Sequence, residues 1–342
     1  MTTCVITGGN AGCGYEACRQ LATIPEVGKI ILTARSKAKA DNAIDNLVKA
    51  TGVGKDKFDS VVLDLEDLAS VVACIDALPF GIDRLCLNAG GGYDGFHIGA
   101  LVNMTYVHTL AHEILTEGLL KAKKVSDGGR ILYVTTELIR PIVGFTGLSP
   151  GSPGWYFWDA PNPDHFESYM SAQHKNLCPC LPVSGQIQNY ARGKLLGSLY
   201  FGQLAKEHPE LFIVSISPGA IASAVSSGFA NEMKFPVKQL MTLCPSAFVC
   251  MRLAHDIEAG TSRYTKAMTG DTAPFNTGAV ILSGRDGCPC HWGARGDPTD
   301  NAKSFAYLAD EKLYEAAAKV QRKKQAEWLA SLAPAAEAKM RR

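Results

Sequence analysis

The chain has 342 residues, 46% of them hydrophobic and 20% charged, a composition that predicts one large α/β domain or at most two smaller ones. Lys and Arg total 34 against 33 Asp and Glu, so no global charge favours nucleic acid or an anionic membrane, and a small-molecule ligand is expected. The first strand candidate begins close to Met1, and no apolar run reaches the roughly 18 residues of a membrane span, which predicts a soluble cytoplasmic protein.

The eleven cysteines are scattered and odd in number, as is usual for reduced thiols. Two Cys-Pro-Cys triplets, Cys178–Cys180 and Cys288–Cys290 before His291, offer thiolates at a spacing tighter than that of the usual zinc knuckle. We therefore expect two reduced loops and no metal site.

Short apolar runs alternate with longer helical patterns over the first two-thirds of the chain. After CVI (4–6), the strand candidates are KIILTAR (29–35), SVVLDL (60–65), DRLCLNAG (83–90), GRILYVTT (129–136) and FIVSISPG (212–219). The helical stretches between them include 36–50, 66–78, 99–124 and 187–207. Strict alternation predicts an α/β fold with a doubly wound parallel sheet that binds its ligand beyond the carboxyl ends of the strands.

The stretch TGGNAGCG, residues 7–14, joins the first strand to a helical pattern that continues until Pro25. A plain turn uses glycine only for its conformational freedom, whereas a strand-to-helix turn presents backbone N–H groups to a phosphate. The flanking elements favour the second interpretation, a dinucleotide pyrophosphate cradle.

The end of the second strand indicates which dinucleotide is bound. It reads Thr33-Ala34-Arg35, with no carboxylate for the ribose hydroxyls. Arg35, Lys37 and Lys39 instead offer positive charge to a 2′-phosphate, which favours NADP(H) over a merely solvated basic helix start.

Two further strand ends carry polar or small residues. Asp64 follows the third strand, where it is either an acceptor for the adenine amino group or a plain helix N-cap. Asn88-Ala89-Gly90 follows the fourth strand and leaves room for a ribose or a nicotinamide.

Residues 140–186 and 260–300 interrupt the alternation. The first stretch combines many Pro and Gly with Trp155–Trp158, which predicts an ordered insertion rather than a solvated linker. The second is irregular around GAVILSG, a candidate for a last edge strand. Residues 1–300 are expected to form the nucleotide-binding domain, and 301–342 a tail of surface helices that frays after Ala333.

Tyr190 and Lys194 lie four apart in a helical pattern and therefore share one face. Alone, Y-x-x-x-K is more often a surface pair. Here it lies between the fifth strand and Ser217-Pro218-Gly219, where an ammonium beside the phenol is expected to lower the pKa of Tyr190 toward the working pH. A hydroxyl from Thr136 would hold the substrate oxygen.

Together, T-G-x-x-x-G-x-G at 7–14, N-A-G at 88–90, T-T at 135–136, Y-x-x-x-K at 190–194 and P-G at 218–219 resemble the motifs of the short-chain dehydrogenase/reductase family over about residues 3–285. The resemblance implies a Rossmann fold with Tyr190 as proton donor or acceptor. It also implies that Lys194 tunes Tyr190 and binds the nicotinamide ribose, that Thr136 positions the carbonyl, and that Pro218 to Ser223 contact the carboxamide end of the cofactor. The candidate cofactor contacts are Thr7, Gly8, Asn10, Gly12, Gly14, Arg35, Asp64, Leu65, Asn88, Ala89, Gly90, Tyr190, Lys194, Pro218, Gly219, Ile221 and Ser223.

The chain departs from the family pattern in the helix after the fourth strand. HTLAHEILTEGLL places His108 where asparagine is usual, while Asn103 would need a shifted register. The resemblance implies a role through the backbone carbonyl, which holds a water of the proton relay, so His108 is a fourth candidate catalytic residue. His108 and His112 are four apart without a third ligand in sight, so helix packing is expected rather than zinc.

The spacing between Thr136 and Tyr190, 54 positions, is longer than in compact family members. In this respect the chain resembles the retinol dehydrogenase and light-dependent protochlorophyllide reductase branches, and the aromatic insertion would roof a pocket for a bulky apolar substrate. The resemblance implies an NADP(H)-dependent oxidoreductase acting on a carbonyl or secondary alcohol, with a homodimer through the helices after the fourth and fifth strands as one arrangement. The alternatives are reduction of a conjugated C=C bond and a non-catalytic NADPH-binding regulator.

Overall fold

A computed structural model describes residues 1–90, 106–139, 161–170, 185–219, 221, 256–270, 275–283, 298–300 and 306–332. Most of the 140–186 insertion, with its aromatic run, therefore lies outside the described residues, as do both Cys-Pro-Cys triplets, His291 and Asn103.

The described strands form one sheet of eight. They are β1 (Thr2–Ile6), β2 (Val27–Ala34), β3 (Phe58–Val62), β4 (Ile82–Leu87), β5 (Val125–Val134), β6 (Phe212–Ile216), β7 (Val280–Ser283) and β8 (Pro298–Asp300). The sheet order is β3-β2-β1-β4-β5-β6-β7-β8, with parallel pairing up to β7 and antiparallel pairing of β8. The predicted doubly wound parallel sheet is confirmed.

Helices lie between and after these strands. They are α1 (Gly12–Ala22), α2 (Lys37–Thr51), α3 (Leu68–Ala77), α4 (Ala111–Lys121), α5 (Phe166–Met170), α6 (Gly185–Glu207), α7 (Ile257–Thr269) and α8 (Glu311–Ala330). One turn of π-helix, Tyr106–Leu110, leads into α4. No helix in the described part of the chain combines the length and apolar character needed to cross a bilayer.

The core occupies both faces of the sheet because strand side chains alternate in direction. On β1, Val5 belongs to the cluster under α3, α4 and α6, whereas Cys4 and Ile6 belong to the cluster under α1, α2 and α7. Burial on both faces explains why the strands are continuously apolar. It also leaves the carboxyl ends of the strands as the place where polar side chains collect.

Three details differ from the sequence predictions. β5 starts at Val125 rather than at 129. Val125 pairs with Ile82 of β4, and the register then shifts so that Arg130 pairs with Arg84, with Gly128 at φ +69 between the two pairs. The GAVILSG strand is not the edge, since β8 pairs outside it and Pro298 fits an edge position. Residues 257–269 form α7 although Gly and Thr favour helix only weakly, because Tyr264 and Met268 are fully buried against the sheet.

The helix of the predicted tail, α8, has one buried face rather than lying loosely on the surface. Ala317, Ala318 and Gln321 are buried, and Gln321 donates a hydrogen bond to the Leu196 carbonyl of α6 at 3.0 Å. Gln325 reaches α4, where its amide donates to the buried carboxyl of Glu113 at 2.8 Å. The C-terminal helix is thereby joined to the two helices that follow β4 and β5.

Candidate active site

The glycine turn between β1 and α1 brings backbone close to an open surface. Gly8 and Gly12 have φ +66 and +56, conformations that side chains disfavour. A Cβ on Gly14 would lie 2.3 Å from the Gly8 carbonyl oxygen and 2.6 Å from Nδ2 of Asn88, so only glycine permits this packing. A Cβ on Gly12 would meet nothing within 4 Å, which leaves that side of the turn accessible to a ligand.

The first turn of α1 has no side-chain cap. Its N-cap residue is Ala11, and the first turn contains no acidic residue. By contrast, side-chain oxygens of Ser36, Asp67, Asp256 and Asp310 cap α2, α3, α7 and α8. Because uncapped N–H groups and the helix dipole favour an anion, the turn fits the pyrophosphate of a dinucleotide.

The side chains of Thr7 and Asn88 tie the turn to β4. The Thr7 hydroxyl accepts from the Ala89 N–H at 2.9 Å, and Asn88 Nδ2 donates to the Thr7 carbonyl at 3.1 Å. Gly8 N–H donates to Thr33 Oγ1 at 3.2 Å, so the ends of β1, β2 and β4 are linked. Asn10 is half-buried in the same turn.

The basic residues after β2 differ in whether they have an acidic partner. Arg35 and Lys39 are exposed, and neither has a carboxylate partner among the described residues. Lys37 is paired with Asp41 one turn along α2. Arg35 and Lys39 therefore remain available to an anionic ligand.

Asp64, which follows β3, lacks one of the two roles that the sequence allows. Asp64 is not the cap of α3, because Asp67 has that role and its carboxylate accepts from the Ala69 N–H at 2.9 Å. The Asp64 carboxylate accepts from Glu66 N–H at 3.1 Å within a turn and is half-buried. The Leu65 side chain is buried in the core, which leaves only its backbone for a ligand.

Thr136 and Tyr190 come together beyond the carboxyl end of β5. The Thr136 hydroxyl forms a side-chain hydrogen bond with the Tyr190 phenol. Lys194, one turn further along α6, is 2% exposed, and its Nζ donates to the Val134 carbonyl oxygen at 2.6 Å. Ser198, which sequence reasoning missed, fixes the neighbouring Thr135 hydroxyl at 2.8 Å.

The ionisation of these groups differs from the sequence expectation. Burial raises the pKa of Tyr190 to about 12, only partly offset by the Thr136 hydrogen bond. Burial also lowers the pKa of Lys194 to about 7. The expected lowering of the tyrosine pKa by Lys194 is wrong for this arrangement, because the ammonium is directed at Val134 and desolvation of the phenol dominates.

His108 packs between the end of β4 and the phenol. Its ring lies edge-to-face against the Tyr190 ring, with centroids 5.0 Å apart. A Cβ on Gly90 would lie 2.5 Å from the His108 ring, so the glycine of the Asn-Ala-Gly motif makes room for it. The His108 carbonyl accepts from the Tyr133 hydroxyl at 2.6 Å, a partner that sequence reasoning missed.

His112 packs inside the protein, as expected of a helix residue. It is fully buried, and its Nε2 bonds the Ala89 carbonyl oxygen at 2.8 Å, which assigns the ring proton to Nε2. Burial and the nearby charge of Lys194 lower the pKa of His112 to about 3. The ring is therefore neutral and supports the Asn-Ala-Gly loop.

The segment after β6 completes the described rim. Gly219 has φ +79, and its N–H donates to the Ser217 hydroxyl at 3.1 Å. Pro218 precedes it, while the Ile221 side chain is buried against Gly260 of α7. Ser223 lies outside the described residues.

Comparison with known proteins gives relatives along much of the chain, although no protein-family model matches it. The chain is 34% identical over 256 residues to the "short chain dehydrogenase/reductase dpchH" of Colletotrichum higginsianum, a match that covers 70% of this chain and 58% of that protein. The two first-ranked curated relatives are matched over 53% and 58% of their own lengths.

Solved structures share the fold of this chain. An uncharacterized protein from Mycobacterium paratuberculosis has a TM-score of 0.60 at 18% identity, covering 95% of this chain and 93% of that one. The angucycline C-6 ketoreductase LanV, solved with bound NADP, has a TM-score of 0.52 at 15% identity, covering 82% and 92%. Both likenesses concern the fold alone.

Proposed function

We propose that the chain is a member of the short-chain dehydrogenase/reductase family and that it is an NADP(H)-dependent oxidoreductase. It transfers hydride between the nicotinamide and a carbonyl or secondary alcohol of a bulky hydrophobic substrate.

The observation that carries the proposal is the contact between Thr136 and Tyr190 at the carboxyl end of the sheet. Two hydroxyls that converge there can both bond one substrate oxygen, while Lys194 lies one turn behind the phenol. In the reductive direction Tyr190 donates its proton to the oxygen that becomes an alcohol. Thr136 holds that oxygen, and His108 packs against the phenol ring and limits its movement.

Residues around the glycine turn would hold the cofactor. The uncapped N–H groups of α1 fit its pyrophosphate, and the exposed Arg35 and Lys39 fit a 2′-phosphate. When bound, the nicotinamide supplies or accepts the hydride. Pro218 and Gly219 line the remaining rim, and Asp64 is proposed as the adenine contact.

The substrate class is inferred from the sequence between Thr136 and Tyr190. Its aromatic and proline-rich composition favours a large apolar substrate.

The test compares wild type with Tyr190→Phe, and uses Tyr200→Phe as the matched control. Tyr200 lies on the same helix, but its hydroxyl bonds Glu117 away from the site. Each protein is titrated with NADPH and NADH, and NADPH oxidation is then followed with bulky aldehydes, ketones and quinones. We expect tight NADPH binding by all three proteins and turnover by wild type and Tyr200→Phe alone.

Product analysis separates the proposal from reduction of a C=C bond. If the product is a saturated ketone, the reaction is reduction of a C=C bond, and the proposal of carbonyl reduction is wrong. NADPH binding without turnover by any protein would favour a regulator, and absence of NADPH binding would overturn the proposal.

A further inference from the structure

Tyr133 lies directly behind the proposed reaction centre. It is fully buried on β5, three residues before Thr136, and no motif of the sequence drew attention to it. The ring stacks on Phe201 with centroids 4.7 Å apart.

The face of this ring lies under the charge of Lys194. Nζ of Lys194 is 4.7 Å from the Tyr133 ring centroid and also donates to the Val134 carbonyl. A cation over an aromatic face is held more strongly where water is excluded, and both side chains are buried. The ring therefore favours the charged ammonium at this position.

The hydroxyl of the same side chain holds a second group. It donates to the His108 carbonyl at 2.6 Å, and the His108 ring contacts Tyr190. A Cβ on Gly197 of α6 would lie 2.3 Å from the Tyr133 hydroxyl oxygen, so this hydroxyl is accommodated only because residue 197 is glycine.

We propose that Tyr133 is a positioning residue: its ring seats the Lys194 ammonium, and its hydroxyl fixes the His108 carbonyl, so one side chain orders both groups behind Tyr190. The inference rests on the proposed function, because ordering of these groups affects catalysis only if Tyr190 is the proton donor.

Few other groups around Lys194 titrate near neutral pH. Tyr190 on the same helix has its pKa raised to about 12, and His112 on α4 has its pKa lowered to about 3. Burial raises the pKa of Tyr133 itself well above its usual value. Glu113, also on α4, has a pKa of about 8 but bonds Gln325 of α8. A titration seen on the Lys194 nitrogen therefore reports Lys194.

The test follows the side-chain nitrogen of Lys194 by NMR in protein labelled with ¹⁵N-lysine, with the signal assigned by its loss in Lys194→Met. In Tyr133→Phe the ring remains, and we expect the wild-type midpoint. In Tyr133→Leu we expect the midpoint to fall by about one pH unit, because the charged form loses the ring face while staying buried. Phe201→Leu, which disturbs the same core but leaves the ring under Lys194, is the matched control.

Turnover rates test the second contact of Tyr133, the hydrogen bond from its hydroxyl to the His108 carbonyl. Tyr133→Phe loses only the bond to His108, and we expect kcat to fall about tenfold with little change in KM. In Tyr133→Leu the alkaline limb of the kcat profile should also move to lower pH.

The proposed contact between the Tyr133 ring and Lys194 is wrong if the titration midpoint of Lys194 is unchanged or higher in Tyr133→Leu. It is also wrong if Phe201→Leu lowers that midpoint by the same amount. If Tyr133→Leu does not fold, 3,4,5-trifluorophenylalanine at position 133 keeps the shape and weakens the ring face, and it must lower the midpoint relative to Tyr133→Phe. The titration needs no turnover. A protein that is inactive but shows the expected shift of the Lys194 midpoint therefore contradicts the proposed function and supports the contact between the Tyr133 ring and Lys194.

Discussion

Single residues of the site differ in how far they follow from the sequence. Thr136 follows β5 at the carboxyl edge of the sheet, and α6 places Tyr190 beside it. The order of the motifs was enough to predict that the two residues are neighbours. The pKa of Tyr190 was not predictable, because it depends on burial and on the direction of the Lys194 ammonium. The role of Asp67 as the α3 cap likewise depends on where the helix begins.

Arg35 allows a prediction on cofactor choice. Arg35→Ala removes an exposed guanidinium beside the end of β2, and we expect the Kd for NADPH to rise about 10- to 100-fold while the Kd for NADH changes little. Lys49→Ala, an exposed cation at the far end of α2, should change neither value. Equal weakening of both nucleotides by Arg35→Ala would place the contact away from the 2′-phosphate.

Elements of the site were predicted where the pattern was periodic and missed where packing overrides propensity. The strand-to-helix turn at 7–14 follows from glycines between two periodic segments, and the structure adds the uncapped first turn of α1. The bulge at Gly128 and the helix at Ile257–Thr269 depend on contacts between distant segments. The π-helical turn that carries His108 has no local signal in the sequence.

Gly12→Ala tests the cradle against a matched glycine. Gly12 and Gly52 both have positive φ, +56 and +73, and a Cβ on either meets nothing within 4 Å. We expect either alanine variant to lose about 1 kcal/mol of unfolding free energy through backbone strain. Only Gly12→Ala should weaken NADPH binding, by tenfold or more, because its Cβ enters the space proposed for the pyrophosphate. Equal binding by the two variants in a fluorescence titration would contradict the cradle.

Across the whole molecule, the doubly wound parallel sheet followed from the alternation of elements, but the docking of the C-terminal helix did not. α8 lies against α6 and reaches α4 through Gln321 and Gln325. These are the helices through which the family resemblance predicts pairing of two chains, and the homodimer stays a prediction. The polar contacts of α8 come from residues that are ordinary on any helix surface, so composition alone predicts surface helices but not where they dock.

Glu113 makes the docking of α8 sensitive to pH. Burial raises the pKa of this carboxyl to about 8, so the folded protein holds it protonated where the unfolded chain ionises it. The stabilising effect of the protonated Glu113 carboxyl is complete below the pKa that this group has in the unfolded chain, and it is lost as pH rises toward 8. Relative to wild type, we therefore expect Glu113→Gln to gain stability between pH 5 and 9, by up to on the order of 5 kcal/mol.

Denaturant unfolding at each pH measures this difference. His112 and Lys194 have lowered pKa values and lose stability as pH falls, so the difference between the two proteins isolates Glu113. Glu66→Gln, an exposed carboxylate before α3, is the control and should show a flat difference. If the difference in stability between Glu113→Gln and wild type also stays constant with pH, the Glu113 carboxyl is ionised in the folded protein and the prediction is wrong.

The bare first turn of α1 has a consequence for the abundance of the protein. A helix whose cap is supplied by a bound nucleotide is completed only when that nucleotide is present, so binding and folding share one free energy. If NADPH is that ligand, starvation for the reduced nucleotide exposes the chain to unfolding and degradation. The cellular level of this protein would then follow the supply of its own cofactor.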